Sequence, residues 1–140
     1  MIQAPRKLAG GFFVTLAAMP WPTVCTPEFV DWWESLDEDE RASVDTAVTV
    51  LETFGPNLGR PRVDTLYDSR HANMKELRLS HDGRPIRVFF AFDPTRSAAL
   101  LIGGDKSGEK RFYKRLLPVA DAIYDRHLTR LAESAKENPE

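Results

Sequence analysis

The chain has 140 residues, 42% of them hydrophobic, so it can bury one core and is too short for two independent ones. Its formal net charge of -2 gives the chain as a whole no excess of positive charge with which to bind nucleic acid. The single cysteine, Cys25, cannot form an intrachain disulfide, and no cluster of Cys and His has the spacing of metal ligands. We therefore expect one metal-free domain in the reducing cytoplasm.

The first 20 residues have no clear place in that domain. Two basic residues precede an apolar run at 8–19, as in a short signal peptide, but the run is too short to span a bilayer. Pro20 follows the run directly, which makes a poor cleavage region. Residues 1–20 are then either a disordered extension or upstream sequence before a true start at Met19, and we favour the start at Met19.

The charge is divided unevenly along the chain. Residues 28–59 hold nine acidic residues against Arg41 alone, whereas residues 60–115 hold thirteen Lys and Arg against seven Asp and Glu. A basic half of this kind favours a phosphate-binding patch. Acidic helices with solvated faces would give a similar division without any nucleic acid.

Two helices are predicted in the acidic part. Thr26 is a suitable N-cap, and Pro27 fits the first helical position, so a helix is expected over about 27–35. Asp37 caps a second helix, whose apolar residues recur at three- and four-residue steps until Gly55 and Pro56 end it. Such a helical hairpin needs a sheet to cover its apolar face.

Strand patterns begin after a loop at 56–72, which has room for a short strand at 63–66. Along 85–92, Ile86 and every second residue after it share one apolar face, so Arg87 points to the other face. The remaining predicted elements are strands at 73–79 and 98–103 and a closing helix over about 109–132.

This order of elements predicts the α+β class, with a helical hairpin, three or four mostly antiparallel strands and a C-terminal helix. We place the domain at 21–132 and a disordered tail at 133–140.

From Thr26 to about Leu128 the chain resembles toxins of the RelE/HigB type, in particular the phage-derived branch of that superfamily, which is common in bacterial toxin-antitoxin operons. No single segment is diagnostic, but their order and spacing together are specific. The segments are 58–64 (LGRPRVD), 69–78 (SRHANMKELR), 86–93 (IRVFFAFD), 103–106 (GGDK), 112–113 (FY) and 120–127 (ADAIYDRH).

The resemblance implies a microbial ribonuclease fold, with two N-terminal helices on one face of the sheet and an open basic cleft on the other. RelE/HigB-type toxins enter the ribosomal A site and cut the mRNA there, without a metal or other cofactor, by attack of the RNA 2′-hydroxyl on the adjacent phosphate. The implied partner is a cognate antitoxin from the adjacent gene, often a helix-turn-helix protein. Since this chain has no DNA-reading motif, DNA contacts would be made through the antitoxin.

The resemblance also implies site residues. Arg87 is expected to clamp the scissile phosphate and Arg78 to bind the backbone or the developing charge, because a guanidinium fits phosphate oxygens in pairs. Lys75 is a candidate base or charge stabiliser, provided that neighbouring arginines lower its pKa. Tyr113 would stack on a base or orient a phosphate oxygen, and His71 is a rival acid or base. Further basic residues are candidates for RNA binding: Arg70, Lys106, Lys110 and Arg111.

The chain departs from the better-known RelE pattern at two places. Glu76 stands where that pattern has a second strand lysine, and Asp105-Lys106 replaces an Arg-rich run, so the identity of the general base is open. Two other functions remain: a gyrase inhibitor, since ParE-type toxins share the fold but lack the basic catalytic set, and a non-catalytic phage-derived binding module. Convergence of Lys75, Arg78 and Arg87 in one cleft would favour the enzyme.

Overall fold

The computed structural model describes residues 21–137 of the chain. Within this range it contains five strands, three α-helices and one 3-10 turn. The strands are β1 (Thr23–Cys25), β2 (Val63–Thr65), β3 (Lys75–His81), β4 (Arg84–Phe92) and β5 (Ala98–Asp105). The helices are α1 (Pro27–Glu34), α2 (Glu38–Phe54) and α3 (Phe112–Glu137), and the 3-10 turn is Gly55–Asn57.

Both N-terminal helices begin at the residues that the sequence predicts. The Thr26 side chain accepts a hydrogen bond from the backbone N–H of Phe29 at 3.2 Å. Asp37 and Glu40 form a reciprocal capping box, in which each side chain accepts from the other's backbone N–H at 2.8 Å. Helix α2 ends at Gly55, whose φ of +55° lies in the region that favours glycine.

The strands form one sheet in the order β1-β5-β4-β3-β2. All neighbours are antiparallel except β1, which runs parallel to β5. The α+β class is therefore confirmed, with a fifth strand beyond the three or four predicted. That strand, Thr23–Cys25, has only three residues, too few for an alternating pattern to be recognised in the sequence.

The sheet is covered on both faces. Val88 and Phe90 belong to a core shared with α1 and α2, whereas Phe89 and Ala91 pack against α3, as the alternation along β4 predicts. The face opposite the helical hairpin is thus not the fully open cleft that the resemblance implied. Helix α3 covers most of it, and only the part beside the start of that helix is left open.

Helix α3 differs from its prediction at both ends. It begins at Phe112 rather than near 109, and it continues to Glu137 rather than ending near 132. Residues 133–137, which the sequence assigned to a disordered tail, are therefore helical. Residues 1–20 and 138–140, with the predicted start at Met19, lie outside the described residues. No helix in the described range is long and apolar enough to cross a membrane.

A buried hydrogen bond joins α3 to the turn after β4. His127 is only 4% exposed, and its Nε2 lies 2.7 Å from Oδ2 of Asp93. The other carboxylate oxygen of Asp93 accepts hydrogen bonds from Thr95 and from the backbone N–H of Ser97. Burial raises the pKa of Asp93, but these hydrogen bonds outweigh it and hold the pKa below its ordinary value of 3.8.

We expect Asp93→Ala to lower the free energy of unfolding by about 3 kcal/mol, since it leaves several buried donors without an acceptor. Urea unfolding followed by tryptophan fluorescence measures this loss. Asp68→Ala, which removes an exposed loop carboxylate, is the control and should change stability by no more than about 0.5 kcal/mol.

Acidification provides a second check on the same carboxylate. Because the folded-state pKa of Asp93 is depressed, its contribution is complete above the unfolded-state pKa and is lost as the pH falls through the folded-state value. The stability of the wild-type protein should therefore fall more steeply in acid than that of Asp93→Ala. Equal slopes, or an unchanged stability at neutral pH, would contradict this role.

Candidate active site

The pairing of β3 with β4 brings two arginines together. Arg78 lies directly opposite Arg87 in the register of the two strands, and Glu76 lies opposite Phe89. Because side chains alternate along a strand, these residues share one face of the sheet, the face that α3 partly covers. Like charges directly opposite each other on neighbouring strands are unfavourable, so this arrangement needs a compensating group.

The buried carboxylate of Glu76 is that group. Its side chain is 3% exposed, and Oε2 accepts a hydrogen bond from Nε of Arg78 at 3.0 Å. On the other side, Oε1 accepts from the Tyr113 hydroxyl at 2.7 Å and lies 3.6 Å from Nε of Arg87. The contact with Glu76 raises the pKa of Arg78, so this guanidinium stays charged.

Tyr113 is positioned by its packing against the sheet. Its ring stacks on that of Phe89, with 6.0 Å between the centroids and 7° between the planes. Since Phe89 lies opposite Glu76, this stacking carries the hydroxyl to the carboxylate, and the hydroxyl also lies 3.4 Å from Nε of Arg87. Burial, followed by the hydrogen bond to Glu76, raises the pKa of Tyr113 above its ordinary value of 10.0.

The two arginines keep free donors after these contacts. A guanidinium has five N–H groups, and the described contacts of Arg87 use Nε and Nη1, the latter donating to the carbonyl of Ile86. The contacts of Arg78 use Nε and Nη2, the latter lying 3.5 Å from Asp64. Among the described residues, Nη2 of Arg87 and Nη1 of Arg78 have no protein partner. These N–H groups are available to the oxygens of an anion.

More cations surround the open end of the site. Lys106 follows β5, and its Nζ lies 5.7 Å from the centroid of the Tyr113 ring. Lys110 and Arg111 are exposed just before α3, and Lys114 is exposed in its first turn, which contains no acidic residue. Cations near a helix N-terminus oppose the helix dipole and do not stabilise the helix. Their presence here favours a role in binding phosphates.

Lys75 lies outside this cluster, contrary to the expected convergence of three cations. It precedes Glu76 by one residue and so points to the opposite face, on which Leu77 packs against the helical hairpin. There its Nζ donates to the Thr65 hydroxyl at 3.1 Å. Arg78 and Arg87 therefore do not crowd Lys75, so the condition for its expected role as a base is not met.

His71 and Arg70 also lie elsewhere. Both contact Asp125 on α3: Nε2 of His71 lies 2.8 Å from its Oδ1, and Nη2 of Arg70 bonds its Oδ2. Asp125 is 12 residues after Tyr113 on the same helix, which corresponds to about 18 Å along the axis. These two residues fasten the loop between β2 and β3 to α3, far from the paired arginines.

Two acidic members of the cluster were not among the predicted site residues. Glu76 was noted only as a departure from a lysine pattern, and Asp64 was not singled out. The position of Glu76 could have been inferred, because Glu76 and Arg78 are two residues apart on one strand and must share a face. Within residues 21–137, no group of three or more His, Cys, Asp or Glu side chains is arranged to hold a metal ion.

We expect Glu76→Gln to lower the pKa of Tyr113. The substitution removes the negative charge that accepts a hydrogen bond from the neutral phenol and disfavours the phenolate. NMR titration of 13Cζ-labelled tyrosine measures the change, and Tyr124, which does not contact Glu76, is the internal control. An unchanged Tyr113 titration would show that the carboxylate does not act on the hydroxyl.

Comparison with known proteins places this chain in a family. The model of the phage-derived Gp49-like proteins (DUF891) matches residues 31–125. A Mycobacterium tuberculosis protein named "Putative toxin HigB3" is 50% identical over 99 residues, which are 70% of this chain and 85% of that protein. A second protein of the same organism, "Putative toxin HigB2", is 42% identical over 105 residues, 74% of this chain and 52% of that protein. No solved structure was found to match. The chain belongs to the phage-derived Gp49-like family, and its resemblance to RelE/HigB-type toxins is confirmed.

Proposed function

We propose that this chain is the toxin of a toxin-antitoxin pair and an endoribonuclease that cuts messenger RNA on the ribosome. The observation that carries the proposal is the convergence of Arg78, Arg87 and Tyr113 on Glu76 at the open end of the sheet. Two opposed arginines held by a buried carboxylate, with free N–H groups, form a site for phosphate oxygens, as a ribonuclease needs. The relatives named as HigB toxins support the same class.

The chemistry requires no group beyond the RNA and these side chains. The 2′-hydroxyl oxygen bonds to the adjacent phosphorus, the bond from phosphorus to the 5′-oxygen breaks, and the products are a cyclic phosphate and a free 5′-hydroxyl. Arg87 clamps the scissile phosphate through its free Nη2, and Arg78 neutralises the charge that develops on the pentavalent phosphorus. Holding the phosphate between them also aligns the attacking oxygen.

Proton transfer is assigned to Tyr113 and Glu76 rather than to Lys75. The attacking hydroxyl must lose a proton, and a group on the Arg78 face has to receive it directly or through a neighbour. Tyr113 already donates to Glu76 at 2.7 Å, so a proton that arrives at its oxygen can pass on to the carboxylate. The leaving 5′-oxygen takes up a proton from solvent water as the bond breaks, and Glu76 afterwards releases its proton to solvent, so the proton balance is zero.

The surrounding cations provide the sequence-independent part of the affinity. Lys106 lies beside Tyr113, and Lys110, Arg111 and Lys114 are exposed near the start of α3. Each phosphate that they neutralise releases counterions. The helical hairpin packs on the opposite face of the sheet from Arg78 and Arg87. Arg70, which pairs with Asp125, has no part in this surface.

The implied partner is an antitoxin that neutralises the toxin in the cytoplasm. Nothing in the described fold reads DNA, so any operator binding by the pair belongs to the antitoxin. The ribosome is the second partner, because it holds the mRNA rigidly. A site with few conventional acid-base groups depends on that alignment and could not provide it by itself.

We expect Arg87→Ala and Arg78→Ala each to reduce cleavage by about 10²- to 10³-fold, the usual effect of removing one donor to the developing charge. Primer extension on a reporter mRNA after induction of each variant measures the loss, with circular dichroism to verify folding. Lys75→Ala is the matched control: it removes a cation of the same strand from the opposite face and should cleave within a few-fold of the wild type. Equal losses in all three variants would contradict this assignment.

We also expect cuts only in translated messages. A translation-blocked copy of the reporter should stay intact in the same cells, and purified toxin should leave the free transcript uncut. Efficient cleavage of the free RNA would exclude the need for the ribosome. Growth arrest without any cuts would instead favour inhibition of gyrase.

A further inference from the structure

A groove opens beside the paired arginines on the free edge of β3. Strand β2 begins at Val63, opposite Leu77, so β3 has no outer neighbour strand beyond Leu77. The last backbone contact on this edge runs from the N–H of Arg78 to the carbonyl of Arg62. The groove has a volume of about 550 Å³. This value lies within the range of about 300–1,000 Å³ found for small-molecule sites.

The walls of the groove come from three parts of the chain. Helix α2 contributes Thr46 and Ala47, the loop before β2 contributes Pro61 and Arg62, and β3 contributes Leu79 and Ser80. Arg78 and Arg87 complete the lining, so the groove is continuous with the proposed cleavage site. A ligand held at the arginines can therefore extend into it without leaving the surface.

The lining is apolar at its floor and positively charged at its rim. Ala47, Leu79 and Pro61 provide a surface on which a flat ring can pack. None of the lining residues is acidic, and the exposed side chain of Arg62 makes no ion pair within the described part of the chain. This combination is complementary to a nucleotide, which carries a base beside a phosphate.

The open strand edge adds polar groups. Because peptide groups alternate along a strand, the N–H and C=O of Ser80 point to the same side as the N–H of Arg78, towards the groove. They form an adjacent donor and acceptor, which every base can match on its Watson–Crick edge. The positive charges of Arg62 and Arg78 beside this edge, with no acidic residue in the lining, favour a nucleotide over a protein segment.

We propose that this groove binds the nucleotide next to the scissile phosphate, with its base on the apolar floor and its phosphate at Arg62. The inference rests on the proposed function and names a second substrate position of the same site. It gives Arg62 and the groove residues a role in holding the single strand, while the bond is broken at Arg78 and Arg87.

Two substitutions test the groove in the ribosome-dependent cleavage assay. Arg62→Ala and Thr46→Glu should each lower kcat/KM roughly tenfold, the first by removing a phosphate contact and the second by placing a negative charge on the wall. Thr46→Ala, which removes the same hydroxyl without adding charge, and Arg130→Ala, which removes an exposed cation near the far end of α3, should remain within about twofold. Full activity of both groove variants would overturn the proposal and leave the groove to a protein segment.

Binding of a non-cleavable RNA gives an independent readout. A 2′-O-methyl trinucleotide added to the 15N-labelled wild-type chain should shift the backbone amide signals of Thr46, Ala47, Leu79 and Ser80. Inorganic phosphate, which has no base to place on the apolar floor, should shift signals beside the arginines and leave those of Thr46 and Ala47 unchanged. Trinucleotide shifts that are absent from the groove would overturn the subsite even if the wild type cleaves. Failure of the wild type to cleave any translated message would instead overturn the proposed function, so the two failures are distinguishable.

Discussion

Two guanidinium groups lie opposite each other on neighbouring strands, and the buried carboxylate of Glu76 makes that arrangement possible. Without the carboxylate, the repulsion between Arg78 and Arg87 would push the side chains apart or into solvent. The same carboxylate accepts a hydrogen bond from the Tyr113 hydroxyl and so ties the first turn of α3 to the sheet. The carboxylate of Glu76 thus fixes both the position of the two arginines and the place where the start of α3 meets the sheet.

The sheet separates stability from chemistry by its two faces. Helices α1 and α2 seal one face with a continuous apolar core that reaches from Phe29 to Val88. On the other face, α3 covers Phe89 and Ala91. Arg87 lies two residues before Phe89 on the same face, beside the N-terminus of α3, and is left partly exposed. Charged groups can therefore be held rigidly by packed neighbours and still be reached from solvent.

Residues suited to acid-base chemistry are used here for structure as well as for function. His127 and Asp93 form a buried pair that anchors the turn after β4, and His71 with Asp125 fastens the loop before β3 to the closing helix. Neither histidine contacts the paired arginines. A histidine with a favourable reference pKa is thus no guide to the site unless its neighbours are known.

The sequence by itself determined the elements and the faces of their residues. The caps at Thr26 and Asp37 define the helical hairpin, and the alternation along 85–92 places Arg87 on the less apolar face, because both signals are local. Strand β1 could not be predicted, since its partner β5 lies more than 70 residues away. Only the tertiary structure decided that Tyr113 meets Glu76, that Arg87 lies opposite Arg78, and that His71 is bound by Asp125. Those contacts join segments distant in the chain or depend on strand register, and an ion pair forms only where packing brings its partners within a few ångströms.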